Sequence, residues 1–340
     1  MAFDFENSRV IESILKKAAR RVILQLPDGL KSYGQEIAET IEARSGASVY
    51  LSADPCYGAC DLPLEEAERL SIDLIIHYGH TPFTTENPPN VVYVHVKAST
   101  DPSETVRRAL PLLAKYSRIG LVTNIQHVDA LEKVASILRS CGKEVKIGNP
   151  GGHSKYAGQI TGCDYTAAKE IEHDVDAYLY VGGGIFHAVG VALNVKQPVI
   201  AADPYVGEAR DVTALGQRIL KQRRAAVGRL IQAKRVGVII GTKTWQMSRE
   251  AAEELKSELV KHDKKVTLLI MREITPEVLD NFPDIAVFVN TACPRAGVDD
   301  SERYSRPIVS ASEVLETFRS GWEAPHCSSS GKNSRSSSPR

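Results

Sequence analysis

The 340-residue chain is 43% hydrophobic and balances 42 basic against 42 acidic residues. That composition describes a globular protein of two or three domains with a sizeable core, and its neutrality argues against gripping nucleic acid through a broad basic face. No run of 18 apolar residues occurs, and residues 1–6 carry the acidic Asp4 and Glu6 where a secretory signal would be basic and then apolar, so no membrane association is expected and the cytoplasm is the expected compartment.

The first apolar, β-branched run, Arg21-Val22-Ile23-Leu24, predicts a strand, with a helical pattern over 34–43 and a second strand over 48–51. Cys56 and Cys60 follow in Asp54-Pro55-Cys56-Tyr57-Gly58-Ala59-Cys60-Asp61. A third run opens on an aspartate, Asp73-Leu74-Ile75-Ile76, and leads into His77-Tyr78-Gly79-His80; a fourth covers 91–96.

The same order restarts at Arg118-Ile119-Gly120-Leu121. A helical pattern over 129–139 precedes a strand over 144–147, and a long connection then holds Cys163. The aspartate-led run Asp176-Ala177-Tyr178-Leu179-Tyr180-Val181 ends at Gly182-Gly183-Gly184 with His187 beyond, and a run over 198–201 ends near Asp203. A third round begins at Arg235-Val236-Gly237-Val238, with Lys243 and Gln246 after it. Its helical pattern spans 248–262 and its second strand 265–270; the run from Asp284 to Val289 precedes Cys293, and 307–309 closes it.

Second strands start 27, 26 and 30 residues after each opening arginine, the spacing of a βαβ unit. Apolar strands alternating with helices imply parallel sheets covered on both faces. The expected fold is therefore α/β, with three similar small domains, each a parallel four-stranded sheet flanked by helices, in pseudo-threefold arrangement around a central site. Expected domains are residues 1–110 with Cys60, 111–225 with Cys163 and 226–323 with Cys293; one long doubly wound sheet is the alternative. The polar segment 324–340, with Cys327, is expected to be disordered.

A chain of this size does not need disulfides, so cysteines at strand ends read as ligands or nucleophiles. Cys60, Cys163 and Cys293 fall on the carboxyl-terminal side of predicted strands, where open parallel sheets bind ligands. Three thiolates suit a [4Fe-4S] cluster with one open iron, or a zinc site keeping a position for water. The intervals of 103 and 130 residues match no local ferredoxin run, and buried structural cysteines are the competing reading. Cys141 lies at the opposite edge and reads as structural.

Tyr57-Gly58-Ala59-Cys60-Asp61, His77-Tyr78-Gly79-His80, Gly158-Gln159-Ile160-Thr161-Gly162-Cys163 and Thr291-Ala292-Cys293-Pro294-Arg295 with Asp299-Asp300 appear in that order. Across roughly residues 20 to 320 this pattern resembles the archaeal diphthamide-synthesis family, radical 2-(3-amino-3-carboxypropyl)histidine synthases that modify a histidine of translation elongation factor 2. The resemblance implies a homodimer in which Cys60, Cys163 and Cys293 hold one [4Fe-4S] cluster, with S-adenosylmethionine at the open iron and an unidentified electron donor. It implies cleavage of the bond from sulfur to the methionyl γ-carbon, release of methylthioadenosine, and addition of a 3-amino-3-carboxypropyl radical to imidazole C2. Cys56 is additional to these ligands and is expected to be silent.

Position alone nominates further residues. Gly182, Gly183, Gly184, Asp203, Lys243, Gln246 and Arg295 are candidates for holding S-adenosylmethionine, Arg295 first because guanidinium matches a carboxylate in bidentate fashion. His77, His80, Asp299 and Asp300 are candidates for catalytic proton transfer; the histidines also read as metal-binding or structural, and the aspartates as an attraction for a cationic partner. Rival readings are a quinolinate-synthase-like [4Fe-4S] dehydratase and a non-catalytic, zinc-stabilised scaffold.

Overall fold

A computed structural model describes residues 3–319 apart from 86 and 299. Asp299, Cys327 and the expected disordered tail therefore lie outside the described residues. The first segment runs β1 (Phe3–Asp4), α1 (Asn7–Lys16), β2 (Arg21–Gln25), α2 (Gly34–Ser45), β3 (Ser48–Leu51), α3 (Leu64–Arg69), β4 (Leu74–Tyr78), β5 (Val91–Val94) and β6 (Lys97–Ala98). The second runs α4 (Ser103–Ala109), β7 (Arg118–Thr123), α5 (Leu131–Ser140), β8 (Glu144–Lys146), α6 (Thr166–Glu170), β9 (Ala177–Val181), α7 (Phe186–Asn194), β10 (Val199–Asp203) and β11 (Glu208–Asp211). The third runs α8 (Thr213–Gln232), β12 (Arg235–Gly241), α9 (Arg249–Lys261), β13 (Lys265–Met271), α10 (Pro276–Asp280), β14 (Val287–Asn290), β15 (Ile308–Ser310) and α11 (Ala311–Arg319).

These strands form three separate main sheets, so the single continuous sheet does not form. Their orders are β3-β2-β4-β5, β8-β7-β9-β10-β11 and β13-β12-β14-β15, with β2, β7 and β12 each lying between two parallel neighbours. The expectation of four strands throughout needs one correction. β11 adds an antiparallel fifth strand to the second sheet, and β1 pairs with β6 in a ribbon of its own.

Alternating side chains on each strand feed two apolar layers, as the two-residue period of a strand requires. Val22, Leu24, Leu74 and Ile76 meet α1 and α2, while Ile23 and Ile75 turn to the α3 side with Ala67. In the second sheet Ile119, Leu121 and Leu179 pack beneath α4 and α5, and Val122, Tyr178 and Tyr180 face α6 and α7. In the third, Val236, Val238 and Val287 meet α8, α9 and α11, whereas Ile239 and Phe288 meet α10. Burying one such side chain fully contributes about 1.5–3 kcal/mol.

The aspartates expected to open the third strands sit just ahead of them and tie back to the first strand. Asp73 Oδ2 accepts from Arg20 N and Arg21 N, both at 2.8 Å, and Asp176 Oδ2 accepts from Ser117 N at 3.1 Å and Arg118 N at 2.8 Å. In the third sheet Arg235 Nη1 reaches Asp284 at 3.2 Å. The recurrent Arg and Asp thus fasten the amino-terminal edge, leaving the opposite edge to other work.

Candidate metal-binding active site

Loops leaving β3, β8 and β14 carry Cys60, Cys163 and Cys293 to one cavity of about 1060 Å³. Each loop is fixed by side chains that satisfy its backbone. Around Cys163, the Asp164 carboxylate accepts from the amides of His153, Ser154 and Thr166, and the Thr161 hydroxyl accepts from Cys163 N at 3.4 Å and Asp164 N at 3.0 Å. Gly158, at φ +69°, lets the chain pair with Thr123; a Cβ there would lie 2.9 Å from side-chain atoms of Ile147 and Leu131. Around Cys293, Asn290 Nδ2 donates to the Cys293 carbonyl at 2.7 Å and Asn290 Oδ1 accepts from Ala292 N at 2.8 Å.

The Cys60 loop is clasped by the loop after β12. Trp245 N donates to the Cys60 carbonyl at 3.0 Å, and Gln246 Nε2 lies 3.2 Å from Cys60 Sγ. Behind them the Lys243 ammonium sits 2.6 Å from both Asp61 Oδ2 and Glu273 Oε1, and 4.5 Å from the Tyr57 ring centre. Lys243 was expected to meet a ligand carboxylate. It instead holds two protein carboxylates, is 2% exposed and does not line the cavity.

Burial pushes the Cys60 thiol up to about 12 against the opposing Gln246 hydrogen bond, and the neighbouring Cys293 and Cys163 sulfurs push it in the same upward direction. Cys163 is raised by burial and, less, by Cys293, with the Thr161 hydroxyl opposing. The three sulfurs are thus electrostatic neighbours. Cys56 also lines the cavity, and burial raises it to about 12. Cys141, read as structural, is exposed at the carboxyl end of α5 and supports no core.

His80 and His187 line the cavity, whereas His77 is wholly buried behind His80. Burial lowers His80 to about 4, against a hydrogen bond with the Tyr78 backbone, and holds His77 well below its ordinary value. Gly183 lines the cavity, but Gly182, Gly184 and Asp203 do not; Asp203 braces the glycine turn by accepting from Gly184 N at 2.7 Å. Arg295 reaches the cavity with Nη1 donating to Tyr165 Oη, Nη2 donating to the Phe186 carbonyl at 3.0 Å, and its guanidinium 4.0 Å from the Phe186 ring centre. That route crosses Gly190, where a Cβ would come within 2.3 Å of Arg295 Nη1. Asp300 lines the wall beside Arg303 and Tyr304.

Sequence reasoning missed Gln25, Asp61, Glu273 and Asn290. Gln25 and Asn290 did leave a signal, as polar residues ending otherwise apolar strands.

A family model described as "Putative diphthamide synthesis protein" matches residues 26–325. The chain is 29% identical to the 2-(3-amino-3-carboxypropyl)histidine synthase of Pyrococcus horikoshii over 92% of this chain and 90% of that one. It is 30% identical to subunit 1 of the Schizosaccharomyces pombe synthase, over 93% of this chain and 74% of that one, and 28% identical to the human subunit 1, over 95% and 74%. Among solved structures, the crystal structure of Dph2 from Pyrococcus horikoshii with a 4Fe-4S cluster superposes with a TM-score of 0.84 at 28% identity, over 95% of this chain and 93% of that chain.

Proposed function

Because the chain belongs to the diphthamide synthesis family, we propose that it is an enzyme of the first step of diphthamide biosynthesis, a 2-(3-amino-3-carboxypropyl)histidine synthase like the relatives it matches. Its substrate would be a histidine of translation elongation factor 2, and S-adenosylmethionine the donor of the aminocarboxypropyl group.

The donor set fits a [4Fe-4S] cluster: the sulfurs of Cys60, Cys163 and Cys293, on loops from three different sheets, share one cavity, and three such ligands would leave one iron without a protein sulfur. Cys60, Cys163 and Cys293 would hold it. When bound and reduced, the cluster supplies the electron that breaks the bond between sulfur and the methionyl γ-carbon, so that methylthioadenosine leaves and the 3-amino-3-carboxypropyl radical adds to imidazole C2.

This chain's residues supply orientation, since the bond that breaks is the one aligned by the pocket. Gln246 donates a hydrogen bond to the Cys60 sulfur, and Arg295, braced by Tyr165 and Phe186, sets a positive charge in the wall where a carboxylate can be oriented. Lys243 acts one layer back, locking the Cys60 loop through Asp61. We read the three sheets as three like domains, 1–110, 111–225 and 226–323, in pseudo-threefold arrangement; their common strand order and at least one cavity cysteine from each support this. A homodimer, a separate electron donor and a cytoplasmic setting complete the reading. No described helix is long and apolar enough to cross a membrane.

The observation that carries the proposal is the convergence of the three cysteines. Its test is anaerobic reduction of iron-loaded protein with S-adenosylmethionine, followed by chromatography of the nucleosides. Methylthioadenosine is the expected product; deoxyadenosine, or no cleavage, counts against the proposal, and protein that stays colourless and iron-free favours a zinc scaffold.

A further inference from the structure

The two histidines beside the cavity belong to one chain of hydrogen bonds whose direction can be read from its anchor. Gln25, 3% exposed at the end of β2, donates through Nε2 to the Asp61 carbonyl at 2.6 Å. A carbonyl only accepts, so the amide of Gln25 is oriented and its Oε1 faces His77. His77 Nδ1 lies 2.7 Å from that oxygen and must carry the proton, which leaves Nε2 as an acceptor. His80 Nδ1 lies 2.9 Å from His77 Nε2 and must donate to it. A neutral ring has one N–H, so in this chain the Nδ1 proton also serves the Tyr78 carbonyl and the remaining nitrogen of His80, Nε2, is unprotonated.

The geometry of the strand end serves this chain. Gly79, at φ +81°, turns the backbone between the two histidines; a Cβ there would lie 2.9 Å from Pro27 Cγ, and Gln126 Nε2 pins its carbonyl at 2.7 Å. His77 is fully buried and the whole chain is built from neutral groups, which avoids an unpaired buried charge. His80 alone of the pair reaches the cavity.

We infer that His80 Nε2 is the proton acceptor of the transfer step, and that Gln25 and His77 are positioning residues that set its tautomer. The inference rests on the proposed aminocarboxypropyl transfer. After the γ-carbon bonds to imidazole C2, the C2–H bond must break: the proton passes to His80 Nε2, and the remaining electron would return to the iron–sulfur cluster oxidised in the cleavage step, restoring an aromatic imidazole. His80 becomes an imidazolium and returns its proton to solvent through the cavity.

Two measurements test this. The first is 15N spectroscopy of histidine-labelled, cluster-loaded protein in the oxidised state: His77 and His80 are expected with protons on Nδ1 and bare Nε2, and Gln25→Leu is expected to mix the tautomers. A proton on Nε2 of either ring in the unmodified protein overturns the inference. So does one equivalent of zinc per chain that is lost in Cys56→Ser, because the Cys56 sulfur lies within 4.8 Å of one nitrogen of each ring and a cation there would displace the hydrogen-bonding proton. The second is the ratio of modified histidine to methylthioadenosine released. His80→Ala is expected to lower it about 100-fold or more, with partial recovery on adding free imidazole, and Gln25→Leu about tenfold. An unchanged ratio in His80→Ala overturns the inference. Absence of methylthioadenosine from the unmodified enzyme instead defeats the proposed function, and the spectra still decide the tautomer chain.

Discussion

Asp61 and Lys243 form an ion pair from which solvent is almost excluded, their side chains 2% and 3% exposed, so losing one partner costs far more than a surface pair would. Lys243→Met is expected to destabilise the fold by about 3–5 kcal/mol by leaving the Asp61 carboxylate buried and unmatched, and Asp61→Asn in that background to recover much of it. Urea unfolding of the two variants checks both outcomes. His127 carries a pH signature of its own. Burial lowers it to about 4, with Asp203 opposing, and its Nε2 meets the Tyr205 hydroxyl at 3.0 Å. Its folded-state pKa lies below the ordinary 6.5, so the unfolded chain binds the extra proton, and the contribution is complete above about pH 6.5 and lost as the pH falls towards 4. Melting curves should show a shallower acid decline for His127→Gln than for the unmodified protein; parallel declines would contradict this. At this scale the cavity cysteines were legible because reactive side chains at strand ends stand out in sequence. The partners of Lys243 were not legible, because Asp61 and Glu273 meet it only through packing between sheets.

The repeated strands show a compensation between neighbours. Gly120 pairs with Tyr178 and Gly237 with Phe288, and a Cβ on either glycine would lie 2.7 or 2.8 Å from the opposing ring. At the matching place in the first sheet, Ile23 pairs with Ile75. Each pair fills similar space between the sheet and its covering helices, with one large and one absent side chain or with two of middle size. Gly120→Ile is therefore expected to destabilise by about 1–3 kcal/mol through overpacking, and Gly120→Ile with Tyr178→Ile to be more stable than Gly120→Ile alone. Thermal unfolding distinguishes this coupling from simple additivity. The central strands were legible because continuous apolar runs have no other use at that length. β11 was not: Glu208-Ala209-Arg210-Asp211 is a charged, mostly exposed edge strand, held by its antiparallel register with β10 and by no apolar pattern. β1 and β6 are two residues each, too short to show any period.

Across the whole molecule, the three sheets share a strand order while their loops differ, so one edge holds the architecture and the other the chemistry. Cys60→Ala, Cys163→Ala and Cys293→Ala are each expected to lose most of the iron bound after anaerobic reconstitution, whereas exposed Cys141→Ala keeps it; iron and sulfide analysis with visible absorption is the measurement. Retention of iron by any of the first three variants, with Cys56 then required for it, would show that Cys56 substitutes as a ligand. The wide separation of the three cysteines also sets an order of assembly. A chain emerging from the ribosome has exposed Cys60 and Cys163 well before Cys293, and no short peptide of this sequence contains more than one of the three. A cluster held by all three would therefore be completed only once Cys293 has been made, on a chain whose first two sheets are already synthesised.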